Sequence, residues 1–186
     1  MAPAIHRASD LPHVIKQFIA IAAVGTGTVR GQRRGVQAAL RKYLSKLDLR
    51  RVPKAPRDFR QWLDRKTKGA LRAMEGVARG RPWGLARKGV NLFLRDCLYN
   101  YYLRREYGLA RMGPWLEIPL DSVVAGELRK LAKKAGRGPL PVWRGLKRLT
   151  PEENARFQDF AFWYARKKVG LSAVVFLDNY LWPSNR

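Results

Sequence analysis

The sequence contains a single cysteine, Cys97, and only two histidines, His6 and His13, among its 186 residues. One cysteine cannot form a disulfide within the chain, and it cannot supply the four thiolates of an iron–sulfur cluster. The same shortage argues against a zinc site, which takes four ligands from these residue types. We therefore expect no metal and no cofactor, and we interpret Cys97 as a small core residue on an apolar helix face.

Long apolar runs are also missing. The longest near the N-terminus, residues 18–24, is too short to span a membrane. Because Lys16 precedes it and small residues follow it, a secretory signal is an alternative interpretation. A cytoplasmic location without membrane attachment agrees better with the rest of the composition.

Acidic residues are scarce, with 14 Asp and Glu against 38 Lys and Arg, which gives a formal charge of +24. Between Arg30 and Lys88 there are 19 basic residues and 4 acidic ones. So large a positive charge repels itself unless an anionic polymer or surface neutralises it. Nucleic acid is the first partner that this composition indicates.

No segment alternates between apolar and polar residues with the period of two that strands require. The pattern instead predicts a single all-α domain over residues 1–186. Thr150, Pro151 and Glu153 form a capping-box sequence, which predicts a helix over about 151–168. Further helices are expected from Asp10 to Gly25 and over about 32–47, 57–74, 122–135 and 172–181.

A turn of small residues followed by an apolar helix begins at Gly84, in the sequence Gly-Leu-Ala-Arg-Lys-Gly-Val-Asn-Leu-Phe-Leu. A helical period predicts one buried stripe, made of Val90, Phe93, Leu94, Cys97, Leu98 and Tyr101. At 100° per residue, Lys88 lies roughly 150° from the middle of that stripe and faces away from the core. Taken alone, this pattern gives only an exposed lysine.

This segment resembles the hairpin of the helix-hairpin-helix DNA glycosylases, G-h-G-x-K-T-A-N-h-h-L, in which h is apolar. Ala86 stands where the second glycine is usual, and Gly89 replaces the threonine. A second segment, Pro119-Leu120-Asp121-Ser122-Val123-Val124, resembles the family's P-h-D-[ST]-h-V. Taken by itself, Asp121 or Ser122 would be a helix N-cap.

The spacing of 33 residues between Lys88 and Asp121 is similar to that of the archaeal 8-oxoguanine DNA glycosylase branch. Near the C-terminus, Leu177-Asp178-Asn179-Tyr180-Leu181-Trp182 resembles that branch's L-D-x-x-x-W segment. The three segments cover about the last 100 residues. In that branch the aspartate and the tryptophan bind the extruded base, and the resemblance implies these roles for Asp178 and Trp182.

The resemblance implies a two-lobed helical fold with a hairpin over about 76–106 and an active site in the cleft between the lobes. Lys88 would attack the sugar and form a Schiff base, and Asp121 would stabilise the positive charge on the sugar. Gly84, Leu85, Ala86 and Arg87 would hold the DNA backbone. Such a monomeric enzyme would flip out and excise a damaged or modified base from double-stranded DNA, with oxidised guanine favoured, and would also cut the strand as an AP lyase.

Other interpretations stay open at this point. Trp62 either forms one wall of the base pocket or is a core aromatic. Asp178 is alternatively a capping or surface carboxylate, and Trp182 a core residue. A non-catalytic basic protein that binds nucleic acid would explain the charge equally well, but not the settings of Lys88 and Asp121. The sequence decides neither which base is removed nor whether the DNA is the cell's own or foreign.

Overall fold

A computed structural model describes residues 10–25, 28–29, 31–33 and 35–181. These residues are helical or irregular, with no strand among them, and the prediction of an all-α fold is confirmed. Eight α-helices follow one another in the described ranges: α1 Leu11–Ala23, α2 Val36–Ser45, α3 Pro56–Ala73, α4 Trp83–Tyr99, α5 Tyr101–Glu106, α6 Ser122–Lys134, α7 Pro151–Tyr164 and α8 Leu177–Leu181. None of the described helices is long and apolar enough to cross a bilayer.

Short irregular helices join these elements. Leu49–Arg51, Leu109–Trp115 and Val174–Phe176 are 3₁₀ helices. A π-helical turn, Ala165–Val169, extends α7 and ends at Gly170, whose φ of 77° is in the left-handed region that glycine tolerates. The predicted helix over 151–168 is therefore correct in extent but changes its winding in the last turn.

Caps account for two helix starts that the sequence predicted. The Thr150 side chain accepts a hydrogen bond from the N–H of Glu153, and the Glu153 carboxylate accepts one from the N–H of Thr150, so the capping box is confirmed. Asp121, rather than Ser122, caps α6, and its Oδ1 accepts from the N–H groups of Val123 and Val124.

The central helix α4 differs from the prediction at both ends. It begins at Trp83, so Gly84, Leu85 and Ala86 form its first turn instead of a turn ahead of it. It ends at Tyr99, because Asn100 is extended and caps α5 with its side chain. The predicted stripe is buried as far as Leu98, but Tyr101 lies beyond the break and is 57% exposed.

Two glycines of α4 permit close packing that a methyl group would block. A Cβ at Gly84 would lie 2.5 Å from the carbonyl oxygen of Leu146, and one at Gly89 would lie 2.8 Å from Leu40. Gly84 thus lets the loop before α7 approach α4, and Gly89 lets α2 do so.

The buried apolar side chains form two clusters. The first lies among α1 to α4 and the 3₁₀ helix Leu109–Trp115, and it includes Cys97, which is fully buried as predicted. The second lies among α6, α7 and α8. Leu146 packs against both clusters. Each large apolar side chain buried in this way contributes roughly 1.5–3 kcal/mol.

Candidate functional site

A cavity of about 710 Å³ opens between the end of α1, the half-buried side of α4 that carries Lys88, the start of α6, the loop over 143–147 and α8. Its volume is within the range of small-molecule sites, roughly 300–1,000 Å³. The charged side chains in its lining belong to Lys88, Arg95, Asp96, Asp121, Arg144, Lys147 and Asp178. Three residues that the sequence singled out, Lys88, Asp121 and Asp178, therefore meet in one cavity.

Lys88 and Asp121 form an ion pair in this cavity. The Nζ atom of Lys88 lies 3.1 Å from Oδ2 of Asp121, and the two side chains are 12% and 17% exposed. Lys88 extends from the second turn of α4. The capping bonds from α6 hold Oδ1 of Asp121, which leaves Oδ2 directed at the amine.

Asp178 reaches the cavity from the first turn of α8, and its side chain is 5% exposed. One oxygen, Oδ2, accepts a hydrogen bond from Arg95, while Oδ1 has no partner in the described structure. Burial raises the pKa of Asp178 above its ordinary value, the charge of Arg95 opposes this, and the nearby Asp121 adds to it. This carboxyl is therefore a buried acceptor with an unused oxygen at a cavity wall.

Arg95 was assigned no role from the sequence, and it lines the same cavity as Lys88. Its guanidinium donates to Asp178 and, through Nε at 2.8 Å, to Asp96. Burial would lower the pKa of Arg95, but these two carboxylates outweigh it and raise that pKa. Arg95 is thus a fixed cation in the lining.

The structure corrects the role expected for Arg87. Its side chain points into the core, where Nε and Nη2 donate to Glu117 at 2.8 and 2.7 Å and Nη1 donates to Asp64 at 2.8 Å. An arginine whose side chain is only 5% exposed, and which donates to Asp64, Thr67 and Glu117, is not at the surface where a DNA phosphate could reach it. Gly84, Leu85 and Ala86 are buried as well, so the four residues 84–87 do not form a phosphate-binding surface.

Glu117 is the residue at the centre of this buried network, and the sequence analysis missed it. Asn91 and Asn154 also donate to its carboxylate, at 3.1 and 3.2 Å. Burial would raise the pKa of Glu117, but the charge and hydrogen bonds of Arg87, with the two amides, lower it on balance. The residues next to Glu117 in the sequence do not indicate that it is the centre of a buried network.

Trp62 is a core aromatic and not a wall of the cavity. It is 4% exposed, packs against Phe59 with ring centroids 5.9 Å apart, and is absent from the lining. Of the two alternatives for this residue, the structure supports the core. Trp182 lies outside the described residues, so its predicted place beside the base is not described.

Trp143 is the aromatic side chain in the described lining of the cavity, and the sequence analysis gave it no role. Its ring meets Phe157 edge to face, with centroids 6.1 Å apart. It lies in the loop between α6 and α7, and the next charged residues of that loop, Arg144 and Lys147, are exposed at the rim. Lys147 donates to the carbonyl of Gly31 at 2.7 Å, which joins this loop to the segment after α1.

The described residues contain no group of three or more His, Cys, Asp and Glu side chains arranged to hold a metal ion. Comparisons with protein-family models, with curated proteins and with solved structures find no match to this chain.

Proposed function

We propose that this chain is a DNA glycosylase with AP lyase activity that excises a damaged or modified base, with oxidised guanine favoured. The observation that carries the proposal is the Lys88–Asp121 ion pair of 3.1 Å in the wall of a cavity large enough for a base. An ordinary surface lysine is solvated and does not require a carboxylate partner such as Asp121. Here a candidate nucleophile and a candidate stabilising carboxylate share one cavity, as base excision through a Schiff base requires.

The proposed reaction begins with loss of a proton from Lys88, and the nearest acceptor is Oδ2 of Asp121. The neutral amine forms a bond to C1′ of the sugar while the bond from C1′ to the base breaks. The base leaves with the electron pair and takes up the proton, and Asp121 is again a carboxylate that stabilises positive charge on the sugar. Ring opening then gives the Schiff base.

The strand is cut from this Schiff base. Loss of a proton from C2′ breaks the C3′–O bond, and the phosphate leaves with that electron pair. Water then hydrolyses the imine, which returns the amine of Lys88 and leaves the unsaturated sugar aldehyde on the 3′ end of the cut strand. These reaction steps use no oxidant, metal or cofactor.

We assign the extruded base to the part of the cavity between Asp178 and Trp143. The unused Oδ1 of Asp178 can accept a hydrogen bond from an N–H group on a purine edge. The ring of Trp143 offers a face on which a base can stack. Trp182 remains a proposed member of this pocket through the resemblance alone.

DNA contacts are assigned to exposed basic residues around the cavity in place of Gly84 to Arg87. Arg79 and Arg81 are exposed in the loop before α4, and Arg144 and Lys147 are exposed at the rim. We propose that residues 76–106 are the helix-hairpin-helix element, and that the two apolar clusters are the cores of two lobes with the cavity as their cleft. The enzyme would act as a monomer on double-stranded DNA.

An incision assay tests the proposal. Duplexes carrying 8-oxoguanine, another oxidised or alkylated base, or an abasic site are incubated with excess protein, and strand cleavage is followed on denaturing gels. We expect cleavage at one lesion or a few related lesions, and at abasic sites, without added metal. Tight binding to every duplex without release of any base would instead support a non-catalytic nucleic-acid-binding protein.

A further inference from the structure

The segment over 116–120, which leads to Asp121, is buried but belongs to no helix, and the described structure gives it no neighbouring strand. Buried backbone N–H and C=O groups require hydrogen-bond partners. For Ile118 a single side chain supplies both. Oε1 of Gln158 accepts from the N–H of Ile118 at 3.0 Å, and Nε2 of Gln158 donates to its C=O at 3.0 Å.

Gln158 is itself held in place by the buried network. Its Nε2 lies 3.3 Å from Oδ1 of Asn154, one turn earlier on α7, and Asn154 donates to Glu117. Glu117 in turn pairs with Arg87. Two consecutive residues of the segment, Glu117 and Ile118, are thereby fixed to α4 and α7.

Both restraints bear on the geometry of the ion pair. Arg87 precedes Lys88 on α4, and successive helical residues project about 100° apart. Burying Arg87 against Glu117 therefore sets the rotation of α4 that turns Lys88 to the cavity. The clamp on Ile118 sets where the chain emerges three residues later at Asp121. Reactive groups must be held to within about 0.5 Å for efficient chemistry.

We infer that Gln158 is a positioning residue for the reaction of Lys88 and Asp121, acting through the backbone of Ile118. This inference rests on the proposed function. Gln158 is fully buried and absent from the cavity lining, so it does not touch the substrate. Burying a carboxamide costs free energy unless it is hydrogen-bonded, and the two hydrogen bonds to Ile118 offset this cost.

The test compares Gln158→Leu with Thr150→Ala, which weakens the same helix at its cap without touching Ile118. The first measurement is hydrogen exchange of the Ile118 amide by NMR, which needs no substrate. We expect exchange at least about tenfold faster in Gln158→Leu and little changed in Thr150→Ala. Gln158→Met, which is unbranched like glutamine, replaces the leucine variant if that variant does not fold.

The second measurement is single-turnover excision with saturating protein. We expect Gln158→Leu to be slower by roughly 10–100-fold, with DNA affinity unchanged within about threefold, because the pair is misplaced while the binding surface is intact. In an Asp121→Asn background the same substitution should cost almost nothing further, since the group that it positions is already lost. A purely structural role would give the same loss in both backgrounds.

The outcomes separate the inference from the proposed function. If the wild type excises no base, the proposed function fails, and exchange at Ile118 still decides whether the clamp exists. If the wild type is active and Gln158→Leu excises at the same rate, or loses the same factor with and without Asp121, the positioning role is overturned.

Discussion

Asp121 uses its two carboxylate oxygens for different partners: Oδ1 accepts from the backbone of α6, and Oδ2 lies 3.1 Å from the amine of Lys88. The first contact is that of an ordinary helix cap. The second joins two positions that are 33 residues apart in the chain. Because the contacts use separate oxygens, substitutions can remove one and keep the other.

Replacing Asp121 by Asn should separate capping from chemistry. Both variants lose the ion pair with Lys88, but asparagine caps about as well as aspartate, so Asp121→Ala should be about 1 kcal/mol less stable than Asp121→Asn. Loss of the carboxylate charge should slow single-turnover excision by roughly 10²–10³. Thermal unfolding and excision rates of both variants check this, and full activity in Asp121→Asn would leave Asp121 as a cap alone.

Glu117→Gln should destabilise the protein at neutral pH by about 3 kcal/mol or more, because it leaves Arg87 buried with only Asp64 as a charged partner. The lowered pKa of Glu117 means that its stabilisation is present above its unfolded pKa, about 4.3, and is lost as pH falls through the folded value. The difference between wild type and variant should therefore shrink on acidification. Urea unfolding at pH 7, 5 and 3 measures it, and an equal difference throughout contradicts the prediction.

Asp178→Asn should change the stability of the protein with pH in the opposite direction to Glu117→Gln. Because burial raises the pKa of Asp178, the folded state retains the proton to higher pH than the unfolded chain does, and stability falls as pH rises through that interval. A neutral amide escapes this penalty, so the variant should gain stability over the wild type towards pH 7 and lose that gain below about pH 4, where aspartate is protonated. If the variant is instead less stable than the wild type at pH 7, the ion pair of Asp178 with Arg95 contributes more to stability than burial of the carboxylate costs.

DNA binding should weaken steeply with salt. If about six phosphates are neutralised, log K should fall with a slope near −5 against log[salt]. Replacing Arg144 and Lys147 together by Gln should make this slope shallower by about 2, whereas Arg166→Gln, which lines a separate pocket, should leave it unchanged. Fluorescence anisotropy over a salt series measures these slopes, and equal slopes in all proteins would place the DNA elsewhere on the surface.

Local features of the site could be predicted from the sequence. The cap at Asp121 and the capping box at Thr150 depend on residues two or three positions apart, and the structure confirms both. The apolar stripe of α4 predicted which side faces the core as far as Leu98. It failed at Tyr101 because Asn100 starts a new helix, and the sequence pattern does not show that break.

The residues that hold the site together could not be predicted in the same way. Glu117 meets Arg87 and Asn154 across 30 and 37 positions, and Gln158 meets Ile118 across 40. In a chain this basic, Arg87 looks like one more exposed charge. Arg87 points inward because α3, α4 and α7 pack together where it meets the Glu117 carboxylate. Trp143 likewise lies in a loop without periodicity, so nothing local connects it to Lys88.

The most direct test of the account is borohydride trapping on a duplex with an abasic site or 8-oxoguanine, followed by peptide mapping of the adduct. Borohydride reduces a Schiff base to a stable amine and so marks the nucleophile. We predict a covalent complex with DNA attached at Lys88, no complex in Lys88→Gln, and an undiminished complex in Lys68→Gln, which removes the same charge from an exposed position on α3 outside the cavity. A complex that persists in Lys88→Gln, or maps to another lysine, would contradict the central claim.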